Sequence, residues 1–337
     1  MNKIAVIMTG WQAVQFAVAN REAAEDFALV LVTGGWEKKI LQQFRVIELE
    51  SFDTYGRFKI KNVGDLYRQL KKLEIFDHHY EELWRPDVGG HIVQLLTRAV
   101  NFDRQVLIED GVGSIAIVKN RTKEISEFMK LIIFFAMMKR LGFLFATTPP
   151  VKRLVLHGVS YNAPTADDFV VSEGQYKSSA SRLIGLMSNN LLVTNPDVIL
   201  FTQPFSELGH MSIKQELEMQ RRLLTVSGVT PDSSNTIAIK PHPGEEEKFI
   251  QLRISALGEL GFSCVLSDKG VPAELYVLSL LKPDFIVCSY CSSALLNIKA
   301  MLPTVRCIAY IDNRIVRLVD KKIIAAFVRA GVETHAL

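Results

Sequence analysis

Short runs of apolar, β-branched residues alternate with longer stretches of helical period along almost the whole chain. Lys3–Met8, Phe27–Val32, Arg45–Leu49, Gln105–Ile108, Arg153–Leu156, Phe169–Val171, Val198–Thr202, Thr236–Lys240, Phe262–Leu266, Phe285–Cys288 and Val305–Ala309 read as strands. Between them Gln12–Glu22, Val63–Leu73, His91–Val100, Ile213–Val226, Glu245–Leu260, Ala273–Leu281 and Ser293–Met301 read as helices. Most of the strand runs are apolar at consecutive positions. A strand buried on both faces needs that, and helices separating such strands specify parallel βαβ units.

The strands suffice for two sheets. The first is expected to end near Ser172, with the polar stretch Gly174–Asn190 as linker, and the second runs from about Val193 to Ala309. Asn313–Ala330 has an apolar/basic helical period, with Gly331 placed to cap it. The expected fold is therefore α/β of the GT-B type: two facing Rossmann-like domains, residues 1–185 and 186–312, with a final helix in 313–337 crossing back to the first domain. Ligands of such sheets sit at the carboxyl ends of the strands, where the strand order reverses.

Composition narrows the function more than the fold. With 39 basic and 36 acidic residues among 337, the net charge is +3, which gives no global signal for nucleic acid. The four cysteines, Cys264, Cys288, Cys291 and Cys307, are too few for a disulfide scaffold and point to a reducing compartment. Cys288 and Cys291 lack the second pair that a zinc site requires and read as buried thiols near a strand end. The apolar run at Ile4–Met8 is too short for a signal-peptide core, and Leu131–Met138 falls far below the ~20 residues of a membrane span. There is no Gly-x-Gly-x-x-Gly and no Gly-x-x-x-x-Gly-Lys-Ser/Thr, which argues against dinucleotide redox chemistry and P-loop hydrolysis. No Asp-x-Asp closes a strand, so a donor needing no divalent ion is favoured and no metal ligand is assigned.

Three clusters follow strands where a doubly wound sheet holds its ligand. After Gln105–Ile108 comes Glu109-Asp110-Gly111-Val112-Gly113. Adjacent carboxylates repel, so one can hold a raised pKa suited to a general base, although the same sequence also makes a solvated turn. After Thr236–Lys240 comes Lys240-Pro241-His242-Pro243-Gly244, in which two prolines stiffen the backbone around an imidazole ahead of a helix start. After Phe285–Cys288 comes Ser289-Tyr290-Cys291-Ser292-Ser293, whose hydroxyls and free N–H groups form a phosphate cradle, or simply cap a helix. Glu274, at the start of Ala273–Leu281, is placed to accept from ribose hydroxyls, with a plain first-turn glutamate as the other reading. Gln12, just after Thr9-Gly10-Trp11, and His157, after Arg153–Leu156, are further cleft candidates. His78, His79 and His91 read as surface residues, and Met137-Met138 as apolar filling.

Taken in order, Gly10-Trp11-Gln12, Glu109-Asp110-Gly111, Gln203-Pro204, Lys240-Pro241-His242-Pro243, Pro272-x-Glu274-Leu275-Tyr276 and Ser292-Ser293-Ala294-Leu295 resemble the bacterial sialyltransferases. The likeness is to the lipooligosaccharide sialyltransferases of glycosyltransferase family 52 and the capsular polysialyltransferases, and it runs from Thr9 to about Lys299. It implies inverting, metal-independent transfer of sialic acid from CMP-sialic acid to a cell-surface glycan on a GT-B fold. By position, Glu109 or Asp110 would be the base, and His242 the phosphate ligand and acid, cationic when it binds. Ser292 and Ser293 would hold the phosphate, with Lys240 and Pro243 beside them, and Glu274 the ribose. Gln12, Gly111 and His157 would line the acceptor side. Ile115 departs from the family, which carries an aromatic residue there, and this bears on acceptor recognition and linkage.

Two rival readings stay open: another GT-B transferase with a His-Pro loop, using CMP-Kdo or CDP-glycerol, and a nucleotide- or glycan-binding protein without turnover. The segment Lys119–Arg153 carries eight basic and two acidic residues around the apolar Leu131–Met138 and Leu141–Phe145, a net +6 that leaves −3 for the remainder. It is either a buried helix with snorkelling ends or a peripheral contact with an anionic membrane. The second reading expects a cytoplasmic protein on the inner face of the cell membrane, near a lipid-linked acceptor, with no nucleic-acid partner.

Overall fold

The computed structural model describes residues 2–32, 35–49, 60–86, 93, 96–97, 99–108, 151–156, 169–185, 195–231, 234–280, 284–311 and 321–336. The chain divides into two compact units, the second of which contains Ser172–Leu337. In the first, β1 (Lys3–Ile7), β2 (Phe27–Val32), β3 (Val46–Glu48), β4 (His79–Pro86), β5 (Asn101–Ile108), β6 (Val151–Leu156) and β7 (Phe169–Val171) form one sheet in the order β3-β2-β1-β4-β5-β6-β7. The pairings described from β3 through to β6 are parallel. Helices α1 (Gly10–Ala19), α2 (Gly35–Ile40) and α3 (Ile60–Lys72) connect strands of this unit.

Ile4, Val6, Leu29, Leu31, Leu70 and Leu83 are fully or almost fully buried in its core. Each such side chain contributes roughly 1.5–3 kcal/mol when fully removed from water. That is why the apolar runs identify β1 and β2 so directly. Strand β4 does not look like its neighbours. Its residues include His79, Glu81, Glu82 and Arg85, and a polar reading of this stretch misses the strand. Several of its polar groups find partners across the ladder. His79 lies 2.9 Å from Asp103, Arg104 lies 2.7 Å from Glu82, and Arg85 Nε donates to Gln105 at 2.9 Å. The buried Glu82 carboxylate also accepts from Trp84 Nε1 at 2.8 Å.

The second unit contains α4 (Glu173–Gly185), β8 (Val198–Phe201), α5 (Ile213–Val226), β9 (Thr236–Lys240), α6 (Glu247–Glu259), β10 (Ser263–Leu266), α7 (Ala273–Leu278), β11 (Ile286–Ser289), α8 (Ser293–Met301), β12 (Arg306–Ile311), α9 (Lys321–Arg329) and β13 (Glu333–Ala336). The sheet order is β10-β9-β8-β11-β12-β13, with every pairing parallel. Order reverses between β8 and β11, so the ligand crevice of a doubly wound sheet belongs at their carboxyl ends.

Two features differ from the expected domain limits. The stretch read as a linker contains α4, which packs on α7 and α8 and so belongs to the second unit from Ser172 onward. At the other end, α9 packs on α8 and β13 within that unit, and β13 extends the sheet beside β12. Gly331, with φ of +75°, ends α9, and Val332 N–H bonds back to the Phe327 carbonyl at 3.0 Å. The polar Glu333-Thr334-His335 lacks the apolar signature of a strand, but Arg306 grips Glu333 with two 2.9 Å bonds across the ladder.

Candidate functional site

The site is built on the second sheet, where three loops leave β8, β9 and β11. Thr202, directly after β8, takes a backbone bond from its own N–H to the Lys240 carbonyl at 3.2 Å. Ser289 Oγ at the end of β11 donates to the Phe201 carbonyl of β8 at 2.9 Å. These bonds fix the three strand ends relative to one another.

His242 is half-buried in the loop after β9. The Gly244 N–H donates to its Nδ1 at 3.0 Å, which places the proton of the neutral ring on Nε2. A Cβ at position 244 would sit 3.2 Å from Nδ1, so glycine is what lets the chain close so tightly on the ring. Burial, with Lys240 and Lys269 nearby, pushes the His242 pKa down to about 4. In the ligand-free protein at neutral pH the imidazole is therefore uncharged. It is an Nε2–H donor, and an arriving anion raises its pKa.

Lys240 is buried, and its Nζ donates to the carbonyls of Pro241 and Lys269 at 3.3 Å each. Burial lowers its pKa to about 8, opposed by Asp268, Glu274 and Glu245. It braces the His242 loop from inside and adds positive charge beneath it. Pro243 is exposed on the same loop. Pro241, Leu266, Ser267 and Asp268 line a cavity of about 470 Å³ beside it.

Ser292 caps α8: its Oγ accepts from the Ala294 N–H at 3.3 Å, leaving the O–H as a donor. Ser293 begins the helix and, like Ser292, is partly exposed. Glu274 is buried, and its Oε1 accepts from Asn297 Nδ2 at 2.8 Å. Burial raises its pKa, opposed by this bond and by Lys240.

In the first unit Gln12 is fully buried after β1. Its N–H bonds to the Thr9 cap at 3.3 Å, and its Oε1 accepts from the Met8 N–H at 2.9 Å. Glu109, Asp110 and Gly111, directly after β5, and His157, directly after β6, lie outside the described residues, as does nearly all of Lys119–Arg153. Among the described residues no cluster of three or more metal-ligating side chains occurs, and no helix is long and apolar enough to cross a membrane. The Cys288 thiol is buried and its pKa pushed up to about 12 by that burial, so it is inert as a nucleophile; the four cysteines are unpaired.

The sequence reading missed the charged cluster directly behind this loop. Arg253 of α6 is completely buried and meets Glu216 of α5 at 2.8 Å, Glu207 of the β8 loop at 2.8 Å, and Glu245 at 3.4 Å. A signal did exist. Ile250, Arg253 and Leu257 recur at the spacing of a buried helix face, and a guanidinium there demands carboxylates.

Residues 105–310, well over half of the chain, match the model of the alpha-2,8-polysialyltransferase (POLYST) family. The chain belongs to this family. Polysialyltransferases are glycosyltransferases, and the matched span holds every candidate named above except Gln12. Among solved structures, the UDP-GlcNAc 2-epimerase of Methanocaldococcus jannaschii is 11% identical with a TM-score of 0.50, covering 97% of this chain and 91% of its own. The spinosyn rhamnosyltransferase SpnG, complexed with thymidine diphosphate, is 12% identical with a TM-score of 0.49, covering 100% and 86%. MurG of Acinetobacter baumannii is 12% identical with a TM-score of 0.43, also covering 100% and 86%. No curated protein matches the chain. At 11% identity the likeness to the epimerase is one of fold, and the fold class of this polysialyltransferase-family chain is α/β, GT-B.

Proposed function

We propose that this polysialyltransferase-family protein transfers sialic acid from CMP-sialic acid to a hydroxyl of a cell-surface glycan, lipooligosaccharide or capsule, with inversion and without a divalent ion. The observation that supports the reading is that His242, Ser292 and Ser293 lie on the loops that follow β9 and β11, the two strands beside β8, where strand order reverses. A CMP leaving group has one phosphate. An Nε2–H donor, two hydroxyls and the N-terminus of the nine-residue α8 match its charge and size.

In this reading the base, Glu109 or Asp110, takes the acceptor proton as the acceptor oxygen attacks the anomeric carbon. The bond to the phosphate oxygen breaks, and its electron pair stays on the phosphate, to which His242, made cationic by a proton taken up as the anionic donor binds, gives one proton and returns to neutral imidazole. One displacement inverts the anomeric centre. Lys240 supplies charge from below, Pro243 holds the loop, and Glu274 takes the ribose hydroxyls with the oxygen that Asn297 leaves. Gln12, Gly111 and His157 serve the acceptor. The acceptor is lipid-linked, and Lys119–Arg153 holds the protein on the anionic inner face of the membrane.

Titration calorimetry with CMP, CDP and UDP tests the donor class. We expect CMP to bind at least about tenfold more tightly than UDP. Such a preference corresponds to about 1.4 kcal/mol, the scale of one base-specific hydrogen bond. Equal affinity for all three, or preference for CDP, moves the protein to a different donor.

A further inference from the structure

Behind the His242 loop, three carboxylates share one guanidinium. Glu216 receives bonds from Arg253 at 2.8 and 3.0 Å and from the Ser206 N–H at 3.0 Å. Glu207 receives bonds at 2.8 and 3.2 Å. Glu245 is the least compensated. It stands 3.4 Å from Arg253, its Oε2 accepts from Thr202 Oγ1 at 2.9 Å, and its buried Oε1 has no partner among the described residues. Glu245 is 1% exposed, and its backbone N–H holds the His242 carbonyl at 3.0 Å. The Lys269 ammonium bonds to the Glu245 carbonyl, Lys240 acts on its carboxyl from β9, and Tyr290 closes the cluster after β11.

We propose that Glu245 carries a proton that sets the affinity of the site for an anionic phosphate. Glu207 and Glu216 take the bonds that Arg253 offers, so a third charge in this dry cluster has too little to balance it. Its backbone N–H is tied to the His242 carbonyl and its carboxyl acts on Lys240, so ionisation adds negative charge beneath the loop that carries the phosphate ligand, offsets the Lys240 charge there and weakens the hold on the phosphate. Burial, reinforced by Glu207 and Glu216, raises the Glu245 pKa from the ordinary 4.5 to about 7, which places the change within the working range. Protonated Glu245 is the binding form. The idea rests on the nucleotide reading of the site and adds a positioning residue to it.

Glu245→Gln copies the protonated form and keeps an acceptor for Thr202. Two measurements on the full chain separate the outcomes. The first uses no ligand. A carboxyl whose pKa is higher in the folded than in the unfolded chain favours the fold fully below pH 4.5 and loses that favour as pH rises through about 7. The melting temperature of Glu245→Gln, relative to wild type, should therefore climb by on the order of 5 °C between pH 5 and pH 8. The second is CMP affinity across the same range. The ratio of Glu245→Gln to wild-type affinity should rise severalfold between pH 6 and pH 8: titration of CMP is shared and cancels, and the loss of Glu245's support for the Lys240 charge offsets part of the gain. A melting difference independent of pH overturns the proton. A changing melting difference with a constant affinity ratio overturns its coupling to the phosphate. If neither protein binds CMP, the nucleotide reading fails together with the coupling, while the melting data still decide where the proton is.

Discussion

Replacing His242 by Ala is expected to lower turnover by roughly 10²–10⁴-fold, the loss that follows removal of a positioned acid. Stability should change little, about 0.5–1 kcal/mol, because the ring is only half-buried in the loop after β9. His242→Gln restores a neutral N–H donor without an acid. In the ligand-free protein the imidazole is neutral at pH 7, with its pKa held near 4 by burial and by Lys240 and Lys269. If neutral hydrogen bonding to phosphate is its whole contribution, Gln recovers most of the rate. If proton donation counts, Gln recovers CMP binding but little turnover, and that split is the expected result. Wild-type turnover in folded His242→Ala removes the loop from the mechanism.

The second large effect concerns the acidic pair after β5. Glu109→Gln and Asp110→Asn, made singly, should differ sharply. The base loses transfer by roughly 10²–10⁴-fold yet keeps wild-type CMP affinity, since its partner is the acceptor. Glu109 is the favoured base and Asp110 the alternative. Loss of CMP binding in either variant would place that residue on the donor side, and normal transfer by both would reduce the motif to a turn.

The strands that burial makes apolar on both faces were legible from sequence alone. Val198–Phe201, Thr236–Lys240 and Ile286–Ser289 are buried almost throughout, and their short length and β-branched residues favour strands. What escaped were elements whose polar groups are satisfied by cross-strand partners. Strand β4 hides behind Glu82, which Arg104 and Lys3 neutralise and to which the Trp84 Nε1–H donates a hydrogen bond. Strand β13 hides behind Glu333 and its Arg306 partner. Such pairing is a tertiary fact that no local pattern carries. The same holds at the site. The His-Pro loop and the paired serines stood out because prolines and caps act locally. Glu245 did not, because in the run Glu245-Glu246-Glu247 nothing local distinguishes the one buried carboxylate from two exposed ones.

The central claim is transfer of a sialyl group from a CMP donor. It is tested most directly by following CMP release from CMP-sialic acid, with and without a galactoside acceptor, in buffer containing EDTA. We expect acceptor-dependent release of CMP in equal amount to a sialylated product, undiminished by the chelator. Release that does not depend on acceptor, transfer only from CMP-Kdo or CDP-glycerol, or binding of CMP without any release would contradict it.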